Sequence, residues 1–381
     1  MIGMFRYFQN IVSKFYLYFV FLLSLHIIIS IHTNNNSSLV TNEQALCISN
    51  VSCLLSNVRI ASNVVYTTSW SNFTKLSLKH SAEGEPPHLT LRNCSKGEHV
   101  KKGLFILKEP YYLGNIGHVL GDDIWAIYSL LYDFHLHNTP TDNVWIIVPI
   151  RFQNEFWKTP IIRELYGVLT SNSVLFVDET KESEVIYERM IMGWSGYGYV
   201  AQTGHFINLN LLMSFRQRFL RHVGLNDKQR GKICNVLFIE KNMTASEHKY
   251  SINNTKELMD HLRKKTKCSI EAASWYGMPL REQILKIYSK DIVVGLPGSD
   301  IMNCIFQPIK SAMIVPDKCD ETGYCSGSNE IGLWFGRIQS RKVKTIAPRD
   351  DGIVWKANIG TWNKESFLTT VLDILRLLYA T

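Results

Sequence analysis

Apolar residues along the chain follow two different rhythms. From Phe15 to Ile31 they form one run, FYLYFVFLLSLHIIISI, broken only by Ser24, His26 and Ser30. From Gly103 onward, short apolar runs alternate with longer amphipathic ones: GLFILKEP, HVLGDDIWAIYSLLYDF, NVWIIVPI, FWKTPIIRELYGVL and SVLFVD. This order predicts strand, helix, strand, helix, strand, the alternation of a parallel α/β sheet. A second series starts at Asn235 with VLFIEKN, then NTKELMDHLRKK, CSIEAA, PLREQILKIYSK and DIVVGLPG. Between the two series lie a connector, MIMGWSGYGYVAQTGH, and a helix, LNLLMSFRQRFLRHVG. KESFLTTVLDILRLLY closes the chain with the Leu and Ile spacing of an amphipathic helix.

The expected fold class is therefore α/β, with two Rossmann-like lobes facing a cleft. Residues 103–230 form the first lobe, 231–350 the second, and 351–381 a C-terminal segment with a helix. Ligands of open α/β sheets bind outside the carboxyl ends of the strands, so each lobe offers one wall. Residues 32–102 are rich in Asn, Ser and Thr, with short β-like runs such as NVVYTTSW and no helical period. They read as a stem and an irregular leading segment.

The apolar run at 15–31, extended by a residue or two at each end, reaches the ~17–25 residues of a membrane span. Arg6 and Lys14 precede it, and no Lys or Arg follows until Arg59. That asymmetry predicts residues 1–14 as a cytoplasmic tail and 15–31 as a transmembrane signal anchor, a single-pass type II topology. A cleaved signal peptide is the alternative, although IHTNNNSS lacks the small-residue cleavage site. Either way the rest of the chain is expected in the lumen of the endoplasmic reticulum or Golgi.

Composition narrows the function classes. With 46% hydrophobic and 19% charged residues over 381 positions, the signature of disorder is absent and two domains are affordable. The formal charge of +8 is spread along the chain without a recognisable nucleic-acid module, so nucleic acid is not an expected partner, whereas a phosphate-bearing small ligand is compatible. Asn-x-Ser/Thr acceptors stand at Asn35, Asn36, Asn50, Asn72, Asn93, Asn242 and Asn253, all past the apolar run. So do all eight cysteines, in a compartment where disulfides persist. Short loops favour Cys47 with Cys53 and Cys319 with Cys325. No pair has zinc-finger spacing, and no metal site is expected.

Two segments could carry chemistry. In the second series, DIVVG runs into LPGSDIMNCIF, where Gly295 and Gly298 bracket a turn and Ser299 or Asp300 can cap the helix that follows. Such a turn offers backbone N–H groups and a positive helix end to an anion; an ordinary capped glycine turn has the same sequence. Lys241, at the carboxyl end of VLFIE, would face the same cleft. In the first series, GNIGHVLGDD places His118 and Asp122 four apart, on one helical face, with Asp123 beside them. An imidazole and a carboxylate sharing a proton are the parts of a general base, and acids in a first helical turn also serve the helix dipole. P-loop, HExxH, CxxC, nucleophile-elbow and kinase patterns are missing.

Taken in order, GNIGHVLGDD, VLFIEKN and LREQILKIYSKDIVVGLPGSDIMNCIFQPIKSAMIVPD resemble the motifs of glycosyltransferase family 61. HVLGDDIWAIYSLL and GWSGYGYVAQTG are most similar to its protein O-mannose β-1,4-N-acetylglucosaminyltransferase branch. The resemblance covers Gly103 to Asp317. It implies a two-lobed GT-B fold and type II topology. It also implies an inverting transfer from a UDP-sugar co-substrate, UDP-N-acetylglucosamine or UDP-xylose, to a hydroxyl of a glycoprotein or glycan. By position it puts Gly295, Gly298, Ser299 and Asn303 around the diphosphate with Lys241 nearby, and His118 with Asp122 or Asp123 on the acceptor side. No cofactor is implied. The chain departs from the family pattern at Pro297, where the family has His, at Lys241, where Arg is usual, and at Val315, where an acid is usual. Lys supplies charge without the bidentate fork of Arg, and Pro supplies no side-chain donor. These departures motivate a rival reading, a catalytically weakened relative that binds glycans or proteins.

Overall fold

The computed structural model describes residues 46–48, 52–61, 64–67, 75–77, 88–93, 100–178, 181, 185–193, 209–226, 234–241, 251–296, 298–308, 311–316, 344–346, 353–356 and 359–379. The apolar run at 15–31 lies outside them, and no described helix is long and apolar enough to cross a membrane. The chain is α/β, and parallel sheets form the centre of both lobes.

Strands of the first sheet are β1 (Leu46–Ile48), β2 (Ser52–Ala61), β3 (Val64–Thr67), β4 (Lys75–Ser77), β5 (His88–Asn93), β6 (Val100–Leu107), β7 (Val144–Pro149), β8 (Leu175–Val177) and β9 (Ile186–Gly193). They run in the order β4-β5-β3-β2-β9-β6-β7-β8, with β1 beside β2. The four strands β9, β6, β7 and β8 are mutually parallel, as continuous apolar runs such as Val144–Pro149 demand of strands covered on both faces. Numbered within that group, their order is 3-2-1-4, which is half of a Rossmann sheet. Direction reverses between β6 and β9, so the switch point lies at their carboxyl ends.

Two expectations are corrected here. The leading segment is not irregular: β2 pairs antiparallel with β9 from Ser52 to Val58 and so extends the lobe's own sheet. Leu55, Val58 and Ile60 of β2 are fully buried against Phe105, Ile147 and Met190. The start of the connector is likewise a strand. IYERMIMG forms β9, paired on both sides, and the apolar half of it, Met190 to Met192, is buried.

The second sheet contains β10 (Asn235–Ile239), β12 (Ser269–Ala273), β13 (Ile292–Val294), β14 (Ala312–Ile314) and β15 (Lys344–Ile346), all parallel, in the order β12-β10-β13-β14-β15. This is a 2-1-3-4-5 order, and its switch point lies between β10 and β13. A small third sheet joins β11 (Ser251–Ile252) to β17 (Ile359–Trp362) and β16 (Ile353–Lys356).

A continuous helical stretch, here α1, links β6 to β7: Ile116–His118 and Trp125–Asp133 are α-helical, and Val119–Ile124 between them is a π-helix. The amphipathic run 156–169 is divided at Pro160 into α2 (Gln153–Lys158) and α3 (Pro160–Gly167). Proline has no N–H and pushes its predecessor out of helical geometry, and Thr159 is accordingly extended at φ −117°, ψ 105°. Further helices among the described residues include α4 (Leu209–His222), α5 (Thr255–Lys265), α6 (Leu280–Ile287), a 3-10 helix at Ser299–Phe306 and α7 (Lys364–Tyr379). The C-terminal helix α7 buries Phe367, Leu368, Val371 and Ile374 against Val236, Phe238 and Leu258, so it completes the second lobe.

The lobes share one apolar core, which includes Leu104, Ile106, Val119 and Trp125 from the first and Leu237, Val293, Ile301 and Phe306 from the second. Helix α4 clamps the seam. Phe219 lies 4.7 Å from Phe306 between ring centres, and buried Arg216 donates from Nε to the Phe306 carbonyl at 3.2 Å. Across the same seam the Leu280 N–H donates to Glu164 Oε2 at 2.7 Å.

Cys234 and Cys268 form a disulfide, a pairing that short-loop reasoning did not anticipate. They flank β10 and β12, adjacent parallel strands that bring the two positions together. Cys53 is also disulfide-bonded, and Cys47 lies opposite it in the β1–β2 register. Cys319 and Cys325 lie outside the described residues. Cys304 is free and buried.

Candidate active site

Both candidate motifs sit at a switch point. In the first lobe, β6 ends at Leu107 and the chain passes through Lys108 to Tyr112 into the N-terminus of α1. Asn115 caps that helix, its Oδ1 accepting from Gly117 N–H at 2.9 Å. One turn later His118 Nδ1 stands 2.7 Å from Asp122 Oδ2, with the His118 side chain 27% exposed and that of Asp122 6%. Sequence spacing placed the two residues on one face, and the structure joins them. The imidazole is flanked by Tyr111 at 5.0 Å and, edge-on, by Tyr112 at 6.0 Å between ring centres. Tyr112 is 44% exposed.

Asp123 is placed differently. It has no exposed surface; its Oδ1 accepts from the Tyr111 N–H at 2.9 Å and lies 3.9 Å from Nζ of the equally buried Lys108. Burial raises its carboxyl to about 7, against the pull of Lys108. The buried phenol of Tyr166 is in turn held well above its ordinary value, by burial first and by the Asp123 charge second. Asp123 therefore does not face an acceptor. It fastens the segment after β6 to α1 from below, whereas Asp122, one position round the helix, reaches His118. Arg151, after β7, adds a second tie to this segment, with Nη2 2.9 Å from Glu109 Oε2.

In the second lobe, Lys241 follows β10 and the turn 295–299 follows β13, on either side of the switch point. Gly298 has φ +130°, which an L-residue rarely adopts, and it is the N-cap of the 3-10 helix. Neither Ser299 nor Asp300 caps that helix by a side-chain hydrogen bond; Ser299 is its first residue. Lys241 Nζ would lie 3.4 Å from a side-chain carbon placed at Gly298, so the ammonium sits directly on the turn. Burial lowers the Lys241 ammonium and raises the Asp300 carboxyl, and each charge partly offsets the other's shift.

Two residues assigned to the donor side do other work. The Gly295 N–H is already used, donating to the Ile314 carbonyl at 3.1 Å, and a side chain at Gly295 would meet Ile301 at 3.0 Å. Its smallness serves packing. Asn303 is buried, and its amide donates to Gln283 Oε1. The missed fastenings, Gln283 and Trp275, carry no motif that sequence inspection could have marked. Pro297 lies outside the described residues; Val315 is fully buried.

The two motifs meet. A carbon added at Gly117 would stand 3.0 Å from Ser299 Cβ and 3.1 Å from its Cα, so the N-terminus of α1 abuts the start of the 3-10 helix. One turn on, a carbon at Gly121 would lie 3.6 Å from Met302. Imidazole, carboxylate, ammonium and two helix N-termini are thereby gathered at one place on the seam. A 520 Å³ surface depression lies elsewhere, lined by Asn253, Glu257, Trp362 and Lys364. Within it Lys364 Nζ lies 2.6 Å from Glu257 Oε2, and none of the proposed catalytic or donor-binding residues lines it.

Residues 196–314 match the family model for glycosyltransferase 61. Over this segment the chain is similar to glycosyltransferase family 61. The match takes in α4 and the second lobe through β14, so it includes Lys241 and the 295–303 segment, and it begins well after the His118–Asp122 pair. By family the enzyme class is that of a sugar transferase. No curated protein matches the chain in sequence. Among solved structures, the iron-containing dodecameric glycosyltransferase TibC from enterotoxigenic E. coli H10407 aligns at 8% identity and a TM-score of 0.31, over 86% of this chain and 94% of that one. The heptosyltransferase TibC bound to ADP-D-β-D-heptose aligns at 9% identity and the same TM-score and coverage. No group of three or more His, Cys, Asp or Glu side chains suited to a metal ion occurs among the described residues.

Of the glycosylation acceptors, Asn253 is exposed, its Oδ1 accepting from Thr361 Oγ1 at 3.0 Å. Asn93 ends β5. Asn35, Asn36, Asn50, Asn72 and Asn242 lie outside the described residues.

Proposed function

We propose that the protein is an inverting glycosyltransferase that moves a sugar, N-acetylglucosamine or xylose, from a UDP-sugar to a hydroxyl of a glycoprotein or glycan. The two lobes are read as a GT-B pair. The apolar run at 15–31 is read as a type II anchor that holds the catalytic part in the lumen of the endoplasmic reticulum or Golgi. One observation carries the catalytic reading: the His118–Asp122 pair and the Gly298–Ser299 helix start, each at the switch point of its own sheet, abut through Gly117 and Ser299.

In this mechanism the diphosphate lies at the start of the 3-10 helix, where the first N–H groups have no intrahelical acceptor and the helix end is positive. Lys241 adds a cation, provided the arriving phosphate competes with Asp300. With Asp122 ionised, His118 carries its proton on Nδ1 and its lone pair on Nε2. Nε2 accepts the acceptor's hydroxyl proton as the oxygen attacks the anomeric carbon, the bond to the UDP oxygen breaks, and the departing charge is held by the helix end and Lys241. Asp122 orients and stabilises the imidazolium that results.

The test is a calorimetric titration of the purified protein with UDP, repeated on Lys241→Ala and Ser299→Trp. Saturable binding weakened by both changes is expected. A folded protein that binds no UDP would sink the transferase reading and leave the weakened relative, a glycan or protein binder. That second reading has one observation in its favour: Asp300 stands close enough to Lys241 to offset its charge at the anion turn.

A further inference from the structure

The loop after β12 is fastened at several points and yet holds out one bare ring. Gly277 takes φ +71°, and the Met278 N–H closes the turn onto the Trp275 carbonyl at 3.0 Å. Trp275 is buried, and its indole N–H donates to the Asp300 carbonyl at 2.6 Å. Gln283 donates to the Met278 carbonyl at 2.7 Å and receives the Asn303 amide. The first of these bonds closes the loop on itself, Gln283 holds it to α6, and the Trp275–Asp300 and Gln283–Asn303 bonds tie loop and helix to the 3-10 helix that begins at the anion turn. Between Trp275 and Gly277, Tyr276 is 70% exposed and has no aromatic partner among the described residues. A lone exposed hydrophobic residue is ordinary. A ring held out by a loop tied down at this many points has already lost the conformational freedom that binding would otherwise remove.

Its position gives the ring a use. The sheet order puts the carboxyl end of β12 beside that of β10, which carries Lys241, and β10 beside β13, which carries the turn. Two strand spacings of about 4.8 Å separate the Tyr276 loop from the turn by roughly 10 Å, a gap that one ribose bridges. On the opposite side of the turn, the carboxyl end of β14 continues into buried Val315 and Pro316, neither of which offers an aromatic face.

We infer that Tyr276 is the stacking platform for the nucleobase of a nucleoside diphosphate whose phosphates lie at Gly298 and Ser299. The inference rests on the donor-site reading above and extends it from the anion to the nucleoside. The full chain is titrated calorimetrically with UDP and separately with inorganic pyrophosphate, with Tyr276→Ala and Tyr276→Phe alongside. Stacking of one base on an aromatic ring corresponds to a roughly 5- to 150-fold change in Kd. Tyr276→Ala is therefore expected to weaken UDP by at least fivefold, Tyr276→Phe to keep it within about twofold, and pyrophosphate to be unaffected by either. UDP bound equally well by Tyr276→Ala would overturn the inference and leave the donor site standing. Equal weakening of UDP and pyrophosphate would overturn it too, by showing that the loop supports the anion turn. A wild-type protein that binds no UDP would remove both readings together.

Discussion

Gly117 and Gly121 lie one turn apart in the same helix, and the structure assigns opposite consequences to an added methyl group. At Gly117 the new carbon would meet Ser299 Cβ at 3.0 Å, Ser299 Cα at 3.1 Å and Asn115 Oδ1 at 3.1 Å. Ordinary carbon contacts lie near 3.5–4.0 Å, so each neighbour must retreat by several tenths of an ångström. One of them is backbone, and another is the oxygen that caps the helix. Overpacking costs about 1–3 kcal/mol and a disturbed cap about 1 kcal/mol. Replacing glycine by alanine in a helix returns about 1 kcal/mol, so Gly117→Ala should lose about 1–3 kcal/mol. At Gly121 the only near atom is Met302 Cε at 3.6 Å, the movable end of a flexible side chain, and Gly121→Ala should be neutral or mildly stabilising.

Thermal unfolding of the two variants beside the unaltered protein measures the difference, with a drop of a few degrees expected for Gly117→Ala alone. UDP titration of the same samples adds a functional arm. The methyl group pushes on the first residue of the 3-10 helix, so Gly117→Ala should weaken UDP while Gly121→Ala leaves it unchanged. If Gly121→Ala were as damaging as Gly117→Ala in both assays, the abutment of the two motifs would not be what holds the site together.

Three further outcomes follow from the geometry. Asp122→Asn should lower sugar transfer by about 10²–10⁴-fold with UDP affinity intact; a parallel loss of UDP binding would place Asp122 in the donor site. Asp123, raised to about 7 when folded, binds its proton more tightly in the native state than in the unfolded one. The stability it contributes is complete below pH ~4 and is lost as pH rises through about 7. The melting temperature should thus fall more between pH 5 and 8 for the unaltered protein than for Asp123→Asn, and parallel slopes would refute the buried-proton account. Removing the Cys234–Cys268 link, which closes a 34-residue separation, should cost about 2–4 kcal/mol on a chain-entropy basis. Chemical denaturation of the Cys234→Ala/Cys268→Ala double variant reads this directly, and an unchanged midpoint would show the link to be energetically idle.

Periodicity located the elements whose burial is decided locally. NVWIIVPI became β7 and VLFIE became β10, because uninterrupted apolar runs must be covered on both faces. KESFLTTVLDILRLLY became α7 because its apolar stripe has a core to face. What periodicity missed depends on distant partners. IYERMIMG mixes Glu and Arg with methionine, and only its pairing with β6 and β2 makes it a central strand. Strand β2 likewise gains its burial from a sheet whose other half lies far along the chain. At the site, the i, i+4 spacing of His118 and Asp122 was legible because helix geometry is short-range. The packing role of Gly295 was not legible, because a glycine needed for packing looks the same in sequence as one needed for an anion.

The adjacent aspartates show most clearly how position alone separates two chemically identical groups. Both lie in the π-helical turn Val119–Ile124, a rare geometry found mostly at functional sites. Asp122 points to an imidazole that still has a quarter of its surface in solvent, so a proton arriving there can leave. Asp123 points into a pocket with Lys108 and Tyr166, where burial sets its proton affinity and no acceptor can reach it. A proton relay needs the first environment; a rigid floor under the base needs the second. Exchanging the two roles would require turning the helix by one residue, which would also carry Gly117 away from Ser299. The register that aligns the base is therefore the register that docks α1 on the donor turn.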